Sequence, residues 1–130
     1  NQIFTPKTIV KKMVDMLEEE NPGCFDLPDK TFIDLYMKSG LYIAEIVKRL
    51  YQSDEMKRLY PDKYDRLKHI FEKQVYGLAP TEIIYKIATS YILGFDEDVK
   101  ITKHNFKQVD ALPYAKDGTL KEKLDEIYDE

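Results

Sequence analysis

The sequence predicts an α/β fold with a partial parallel sheet of about three strands and flanking helices. Three short apolar segments, at 32–36, 74–79 and 106–109, have the length and composition of buried strands. Between them lie segments whose apolar residues recur every three or four positions, which is the period of an amphipathic helix. Strands that alternate with helices favour a parallel sheet with right-handed crossovers.

The composition is that of one modest globular domain. Of the 130 residues, 43% are hydrophobic and 34% charged. No apolar run approaches the ~20 residues that a membrane helix needs, so we expect no membrane partner. The single cysteine, Cys24, allows no internal disulfide, which favours a reduced, cytoplasmic setting. The net charge of −4 argues against a DNA-binding surface formed by this segment alone.

A metal site is not predicted. One cysteine excludes a zinc site built from cysteines, and His69 has no second ligand one helical turn later, where Lys73 stands. The acidic residues at 96–98 lack the glycine and the regular oxygen spacing of a calcium loop.

Residues 1–23 predict an N-terminal helix. Thr5 suits the N-cap and Pro6 the first helical position, and Asn21-Pro22-Gly23 ends the helix. One helix face is apolar and consists of Ile9, Val10, Met13, Val14 and Leu17.

The stretch from Thr31 to Tyr51 is the one around which the remaining elements are organised. A strand over 32–36 leads into a turn containing Ser39-Gly40, and an amphipathic helix follows. α/β proteins hold nucleotides in such units, because the turn lets a ligand approach the backbone and the helix N-terminus offers free N–H groups. Asp34, near the end of the strand, fits that use. Many parallel-sheet domains have such a turn without a ligand, so the residues alone leave both interpretations open.

The remainder of the chain predicts further helices. Ser53 and Asp62 each suit the start of a short helix in the charge-rich segment 52–73. Pro80-Thr81-Glu82 opens another helix, Gly94 ends it, and a last helix covers 120–128. The helix at 82–93 is expected to be well buried, since apolar residues surround nearly half of it: Ile83, Ile84, Ile87, Ala88, Tyr91 and Ile92.

The 130 residues are expected to form a single partial domain, with an N-terminal helix in 1–23 and a β-α-β-α-β-α unit in 31–130. Three strands make only half of a doubly wound sheet. We therefore expect the other half to lie beyond Glu130, in a longer protein.

Four ordered stretches resemble the N-terminal half of the catalytic domain of class I S-adenosylmethionine-dependent adenine-N6 DNA methyltransferases of restriction–modification enzymes. The family has a Phe-Thr-Pro segment before its first helix, an Asp-Pro-x-x-Gly-Ser-Gly-x-Phe turn after its first strand, Tyr-Gly-x-Asp or Glu at its second strand, and an acidic turn after its third. The corresponding stretches here, which span most of the chain, are Phe4-Thr5-Pro6, Asp34 to Tyr42, Tyr76-Gly77-Leu78-Ala79 and Val109-Asp110-Ala111-Leu112.

This resemblance implies a three-layer Rossmann-like methyltransferase fold and S-adenosylmethionine as the cofactor. Asp34 and Gly40 would lie at the amino-acid end of the cofactor, and Asp110 and Ala111 at its adenine. The cofactor-binding residues implied are Phe4, Thr5, Pro6, Asp34, Tyr36, Ser39, Gly40, Asp110 and Ala111.

The resemblance also implies that DNA is bound through other parts of a longer protein. The Asn-Pro-Pro-Tyr motif that holds the flipped adenine and performs the transfer is absent from the 130 residues. No catalytic residue is therefore predicted in this chain, which alone is expected to be inactive.

The chain departs from the family pattern at three positions. Lys38 replaces the first glycine of the turn and brings a positive charge toward a cationic sulfonium. Leu35 replaces the proline, and Ala79 replaces the carboxylate that grips the ribose hydroxyls, for which Glu82 is a candidate substitute. These departures leave two alternatives open: a methyltransferase-like scaffold that has lost cofactor binding and serves as an interaction domain, and an unrelated α/β nucleotide-binding domain.

Overall fold

The computed structural model describes residues 6–128, and these form a mixed α/β structure around a three-stranded sheet. The strands are all parallel, in the order β1-β2-β3, which confirms the predicted sheet. The strands are β1 (Phe32–Asp34), β2 (Val75–Ala79) and β3 (Asn105–Gln108), and the α-helices are α1 (Lys7–Glu20), α2 (Leu41–Gln52), α3 (Asp54–Leu59), α4 (Lys63–His69), α5 (Glu82–Leu93), α6 (Leu112–Asp117) and α7 (Leu120–Tyr128).

The sheet is covered unequally on its two faces. Val75 and Ala79 belong to the main core, which α2 and α5 form with the sheet. Tyr76 points to the other face, as the alternation of a strand requires, and its ring packs edge-on against Tyr128 of α7 at 5.1 Å between centroids. On that second face Ile33 of β1 remains 41% exposed.

Helix α1 is attached to α2 by an ion-pair network. Arg49 of α2 places Nη2 2.8 Å from Asp15 of α1, while its Nε donates to Glu45 within α2 at 2.8 Å. Glu45 is 6% exposed, so its charge is compensated where water is largely excluded. Val10 and Val14 of α1 are buried in the same interface. This attachment matters because α1 forms one wall of the cavity described below.

Several predicted helix boundaries are confirmed by their caps. The side-chain oxygens of Ser53, Asp62 and Thr81 accept hydrogen bonds from backbone N–H groups in the first turns of α3, α4 and α5. Gly94 is the C-cap of α5, as expected. Thr5, the predicted N-cap of α1, lies outside the described residues. Pro6 was expected at the first helical position, but it lies one position earlier, with an extended backbone (ψ 150°), and the helix begins at Lys7.

The first strand is shorter than predicted. It ends at Asp34 because Oδ1 of that residue accepts a hydrogen bond from the N–H of Tyr36 at 3.0 Å, which turns the chain within two residues. The strand β3 begins and ends one residue before the predicted 106–109. The segment before β2 is a π-helical turn, Ile70–Gln74, which helical periodicity did not indicate.

The burial predicted for α5 is wrong for half of its apolar residues. Ile84, Ala88 and Ile92 are buried, but Ile83 is 71% exposed. Ile87 and Tyr91, on the same outer stripe, are each 46% exposed. The main contacts of the helix are with the sheet and α2, and the stripe of Ile83, Ile87 and Tyr91 remains exposed.

Helix α6 was not predicted. Asp110 precedes it, and Oδ1 of that residue accepts from the N–H of Leu112, the first helical residue, at 3.1 Å; Gly118, with φ of +80°, is the C-cap after Asp117. Pro113 sits in the first turn, where its missing N–H is tolerated. A six-residue helix carries too short a periodic pattern to be detected in the sequence.

Candidate functional site

The carboxyl ends of the three parallel strands lie along one edge of the sheet, and a cavity of about 310 Å³ opens there beside β1. In open α/β sheets this edge is where ligands bind. The wall on one side is the turn between β1 and α2, and the wall on the other is α1. The residues that line the cavity are Val10, Met13, Asp34, Tyr36, Lys38, Ser39, Gly40, Leu41 and Tyr42.

Asp34 is the acidic group of this cavity. Burial raises the pKa of its carboxyl, the hydrogen bond from Tyr36 N–H opposes that shift, and the nearby positive charge of Lys38 opposes it further. The Tyr36 bond uses Oδ1, and within residues 6–128 Oδ2 has no hydrogen-bond donor. A ligand ammonium or hydroxyl group could donate to this oxygen.

Tyr42 contributes a phenol to the same cavity. Burial raises the pKa of Tyr42 above its ordinary value, and the negative charge of Asp34 adds to that effect. The phenol is therefore neutral around neutral pH and can donate a hydrogen bond without adding charge.

The turn itself is fixed by one glycine and one serine. Gly40 has φ of +91° and is the N-cap of α2, while Ser39 Oγ accepts a long hydrogen bond from Leu41 N–H at 3.4 Å. A Cβ on Gly40 would lie 2.9 Å from the carbonyl oxygen of Ala88 and 3.1 Å from Cγ1 of Ile92. The close approach of α5 therefore requires a glycine here whether or not a ligand binds.

Four of the predicted site residues line this cavity: Asp34, Tyr36, Ser39 and Gly40. Pro6 is exposed at the start of α1 and does not line it. Phe4 and Thr5 lie outside the described residues.

The two predicted adenine-binding residues lie elsewhere on the same edge. Asp110 is exposed, and Ala111 is 1% exposed. Neither borders the cavity at β1, because the edge runs from β1 through β2 to β3, where they follow the last strand.

The sequence did not predict that residues of α1 line the cavity. Val10 and Met13 belong to the apolar face assigned to that helix from its sequence, but periodicity could not distinguish residues that pack on α2 from residues that border a cavity. Met13 is 46% exposed, which places it at the open side.

At the end of β2 no carboxylate faces the cavity. Ala79 is fully buried beside Gln108 of β3, and Glu82, the candidate substitute, is exposed and paired with Lys86 at 2.8 Å. Glu82 does not line the cavity. Gly77 of the same strand lies directly beneath the side chain of Met37, which fills the space that a Cβ would need.

A second and larger cavity, of about 610 Å³, lies at the opposite edge of the sheet, beneath the end of α7. None of the predicted site residues lines it. His104 is on its wall, and burial together with Lys107 lowers the pKa of that imidazole. We place the candidate site at the smaller cavity, because the carboxyl edge is where a parallel sheet offers helix N-termini and loop backbone to a ligand.

The described residues, 6–128, contain no cluster of three or more histidine, cysteine or acidic side chains able to hold a metal ion. In the same range no helix has the length and apolar character needed to cross a membrane.

The fold and the cavity together define an α/β chain with a candidate ligand site at the carboxyl edge of its sheet. No family model matches the chain. Over 82 residues it is 29% identical to a protein of Mycoplasma pneumoniae described as an uncharacterized adenine-specific methylase. The matched segment covers 63% of this chain and 19% of that protein. This similarity supports a relationship to methyltransferases, and the three-stranded parallel sheet with flanking helices is compatible with a Rossmann-like fold.

Proposed function

We propose that this chain is the cofactor-binding part of an adenine-N6 DNA methyltransferase, of the kind found in restriction–modification enzymes, and that it binds S-adenosylmethionine at the turn after β1. The observation that carries the proposal is the convergence of Asp34, Tyr36, Ser39 and Gly40 on one cavity at the carboxyl edge. Similarity to a protein described as an adenine-specific methylase supports the same class of reaction.

The groups around the cavity fit the amino-acid end of this cofactor. The free oxygen of Asp34 can accept from an ammonium group, and the hydroxyl of Tyr42 can donate. Met13 and the ring of Tyr36 offer an apolar wall to the aliphatic chain. The adenosine would extend along the strand ends toward Asp110 and Ala111, where the resemblance locates the adenine.

When bound, the cofactor supplies an electrophilic methyl group. The residues of this chain bind and orient it, and the Asn-Pro-Pro-Tyr motif that would hold a flipped adenine does not occur among the 130 residues. We therefore assign cofactor binding, and no step of the transfer, to this chain. DNA contact, the partial-domain organisation and the cytoplasmic location are part of the same proposal.

The test is a calorimetric titration of S-adenosylmethionine into the protein, its Asp34→Ala variant and an Asp98→Ala control. Asp98 is an exposed loop residue whose side chain is 85% exposed. We expect saturable binding to the wild type, about tenfold or greater weakening in Asp34→Ala from the loss of a charge-assisted contact, and no change in Asp98→Ala. Equal affinities in all three proteins would contradict the proposed site.

A second candidate function is a methyltransferase-like scaffold without cofactor binding. It is favoured by the buried Ala79, which stands where a ribose-binding carboxylate is expected, and by the packing of Gly40 against α5, which explains the turn glycine without a ligand. If the intact protein that contains this sequence fails to bind S-adenosylmethionine, the scaffold becomes the better account.

A further inference from the structure

The wall of the cavity at β1 carries one group of each charge. Asp34 contributes a partly buried carboxylate and Lys38 an exposed ammonium, and both border the same 310 Å³ of space. They are four residues apart in the turn. The positive charge of Lys38 opposes the rise in the pKa of Asp34 that burial causes, yet the two side chains form no ion pair within residues 6–128. Both groups border the cavity from the turn between β1 and α2.

Lys38 is also without a carboxylate partner in residues 6–128. The nine ion pairs of that range involve other cations, among them Lys63, Lys86 and Lys123. An exposed lysine with no partner is ordinary on a protein surface. A lysine on the wall of a cavity that also holds a partly buried carboxylate is positioned to contact a ligand that enters that cavity.

The charge pattern restricts the ligand. A purely cationic group would be attracted by Asp34 and repelled by Lys38. A purely anionic group would be repelled by Asp34 and attracted by Lys38. A zwitterion satisfies both residues, with its ammonium on Asp34 and its carboxylate on Lys38. Amino and carboxylate groups on one carbon have this arrangement, so the wall fits the α-amino-acid end of a ligand.

We propose that Lys38 determines specificity in this site by pairing with the ligand's α-carboxylate, while Asp34 accepts from its α-ammonium. This inference rests on the proposed function, because S-adenosylmethionine is the ligand whose amino-acid end would occupy the cavity. It assigns a binding contact to the residue at which the chain departs from the glycine of the resembling family.

The positive charge of Lys38 repels the positively charged sulfonium of S-adenosylmethionine, and this repulsion opposes the binding of that ligand. S-adenosylhomocysteine has the same amino-acid end and a neutral thioether, so it gains the carboxylate contact without the repulsion. Lys38 should therefore favour S-adenosylhomocysteine over S-adenosylmethionine. Removal of its charge should shift that preference toward S-adenosylmethionine.

The test compares three ligands in four proteins by calorimetric titration, using the intact protein that contains this sequence. The ligands are S-adenosylmethionine, S-adenosylhomocysteine and decarboxylated S-adenosylmethionine, which lacks only the carboxylate. The proteins are the wild type, Lys38→Met, Lys38→Arg and Lys103→Met. Lys103 borders the cavity at the other edge of the sheet, so its substitution controls for the change in net charge.

We expect Lys38→Met to weaken the binding of S-adenosylhomocysteine about tenfold. The binding of S-adenosylmethionine should weaken by a smaller factor, because removing the lysine charge also removes its repulsion of the sulfonium. Decarboxylated S-adenosylmethionine should bind the variant equally well or more tightly. Lys38→Arg should retain most of the wild-type affinity, and Lys103→Met all of it. Lys38 is exposed, so the midpoint of thermal unfolding should be unchanged in both Lys38 variants.

Equal weakening of all three ligands, or tighter binding of S-adenosylhomocysteine by Lys38→Met, would overturn the inference while leaving the proposed function in place. A wild-type protein that binds none of the three would overturn the proposed function itself, and the role of Lys38 with it.

Discussion

The turn after β1 and the turn after β3 lie on the same edge of one sheet, yet they are built differently. In the first, Asp34 is partly buried, burial raises its pKa, and a cavity opens beside it. In the second, Asp110 is exposed and accepts a hydrogen bond from Leu112 at the start of a six-residue helix. Each aspartate accepts from the N–H two residues later, so the local hydrogen bond is the same in both turns.

The difference between the two turns comes from what packs around them. Residues of α1 and of the long helix α2 line the cavity beside Asp34, whereas short α6 follows Asp110 and has no buried residue of its own. An acid after a parallel strand thus becomes a candidate ligand group only where neighbouring helices remove it from water. The following predictions test this contrast, in order of expected effect.

The largest effect should come from the glycines of the two segments. Gly40→Ala must adopt φ near +91° and push against Ala88 of α5, whereas Gly118→Ala, with φ near +80°, meets no atom within 4 Å. Left-handed strain of about 1 kcal/mol applies to both, and overpacking adds about 2 kcal/mol to the first. We expect losses in the free energy of unfolding of about 3 and about 1 kcal/mol, measured by urea denaturation. Equal losses would show that α5 does not press on the turn.

Cofactor affinity should separate the two aspartates next. Asp34→Asn removes the charge that would hold an ammonium group, and we expect a weakening of about 30-fold, near 2 kcal/mol. Asp110→Asn keeps an acceptor at an exposed position, where one hydrogen bond is worth about fivefold. Calorimetric titration of S-adenosylmethionine into both variants shows which substitution weakens binding more. A larger loss at Asp110 would move the main contact to the turn after β3.

The pH dependence of stability should report the burial of Asp34. Because its folded-state pKa is raised, the folded protein binds a proton more readily than the unfolded chain, so ionised Asp34 destabilises the fold at neutral pH. Asp34→Asn, which can still accept from Tyr36, should therefore be more stable than the wild type at neutral pH. The advantage should disappear as pH falls through the raised pKa and past the ordinary value of 3.8.

Urea denaturation of both proteins across that pH range measures the effect. An advantage for Asp34→Asn that grows as the pH falls would contradict the assigned burial.

The smallest effects are expected from the loss of a single side-chain hydrogen bond in each turn. Asp110→Ala removes an exposed acceptor for Leu112 N–H, which should cost about 0.5 kcal/mol of unfolding free energy. Ser39→Ala removes the 3.4 Å contact with Leu41 N–H and should cost less, because the bond is long. A loss above 2 kcal/mol at Asp110 would mean that the turn after β3 is more tightly packed than its exposure indicates.

Much of the fold was predictable, because local chemistry determines it. Ser53 and Asp62 occupy the N-cap positions that their side chains favour, and the alternation of strands and helices gave the parallel sheet. Asp34 and the turn after it could be predicted to border a cavity, because an acid at the end of an apolar strand and a glycine turn are both visible in the sequence.

What could not be predicted depends on tertiary packing. The stripe of Ile83, Ile87 and Tyr91 has the same periodicity as a buried face, so the sequence alone could not show that it stays exposed. Gly40 suggested ligand approach, but the sequence could not show that α5 also requires it. Asp110 resembled a site residue on local pattern, although it lines neither the cavity at β1 nor the larger one at the opposite edge.

Binding of S-adenosylmethionine at the turn after β1 is tested most directly by 15N-1H correlation spectra of the isotope-labelled protein. We expect the amide signals of Tyr36, Ser39, Gly40 and Leu41 to shift together and to saturate as the ligand is added. The same titration should leave Lys103 and His104, at the opposite edge of the sheet, unchanged. Shifts confined to those two residues, or no saturable shift in the turn after β1, would contradict binding at that turn.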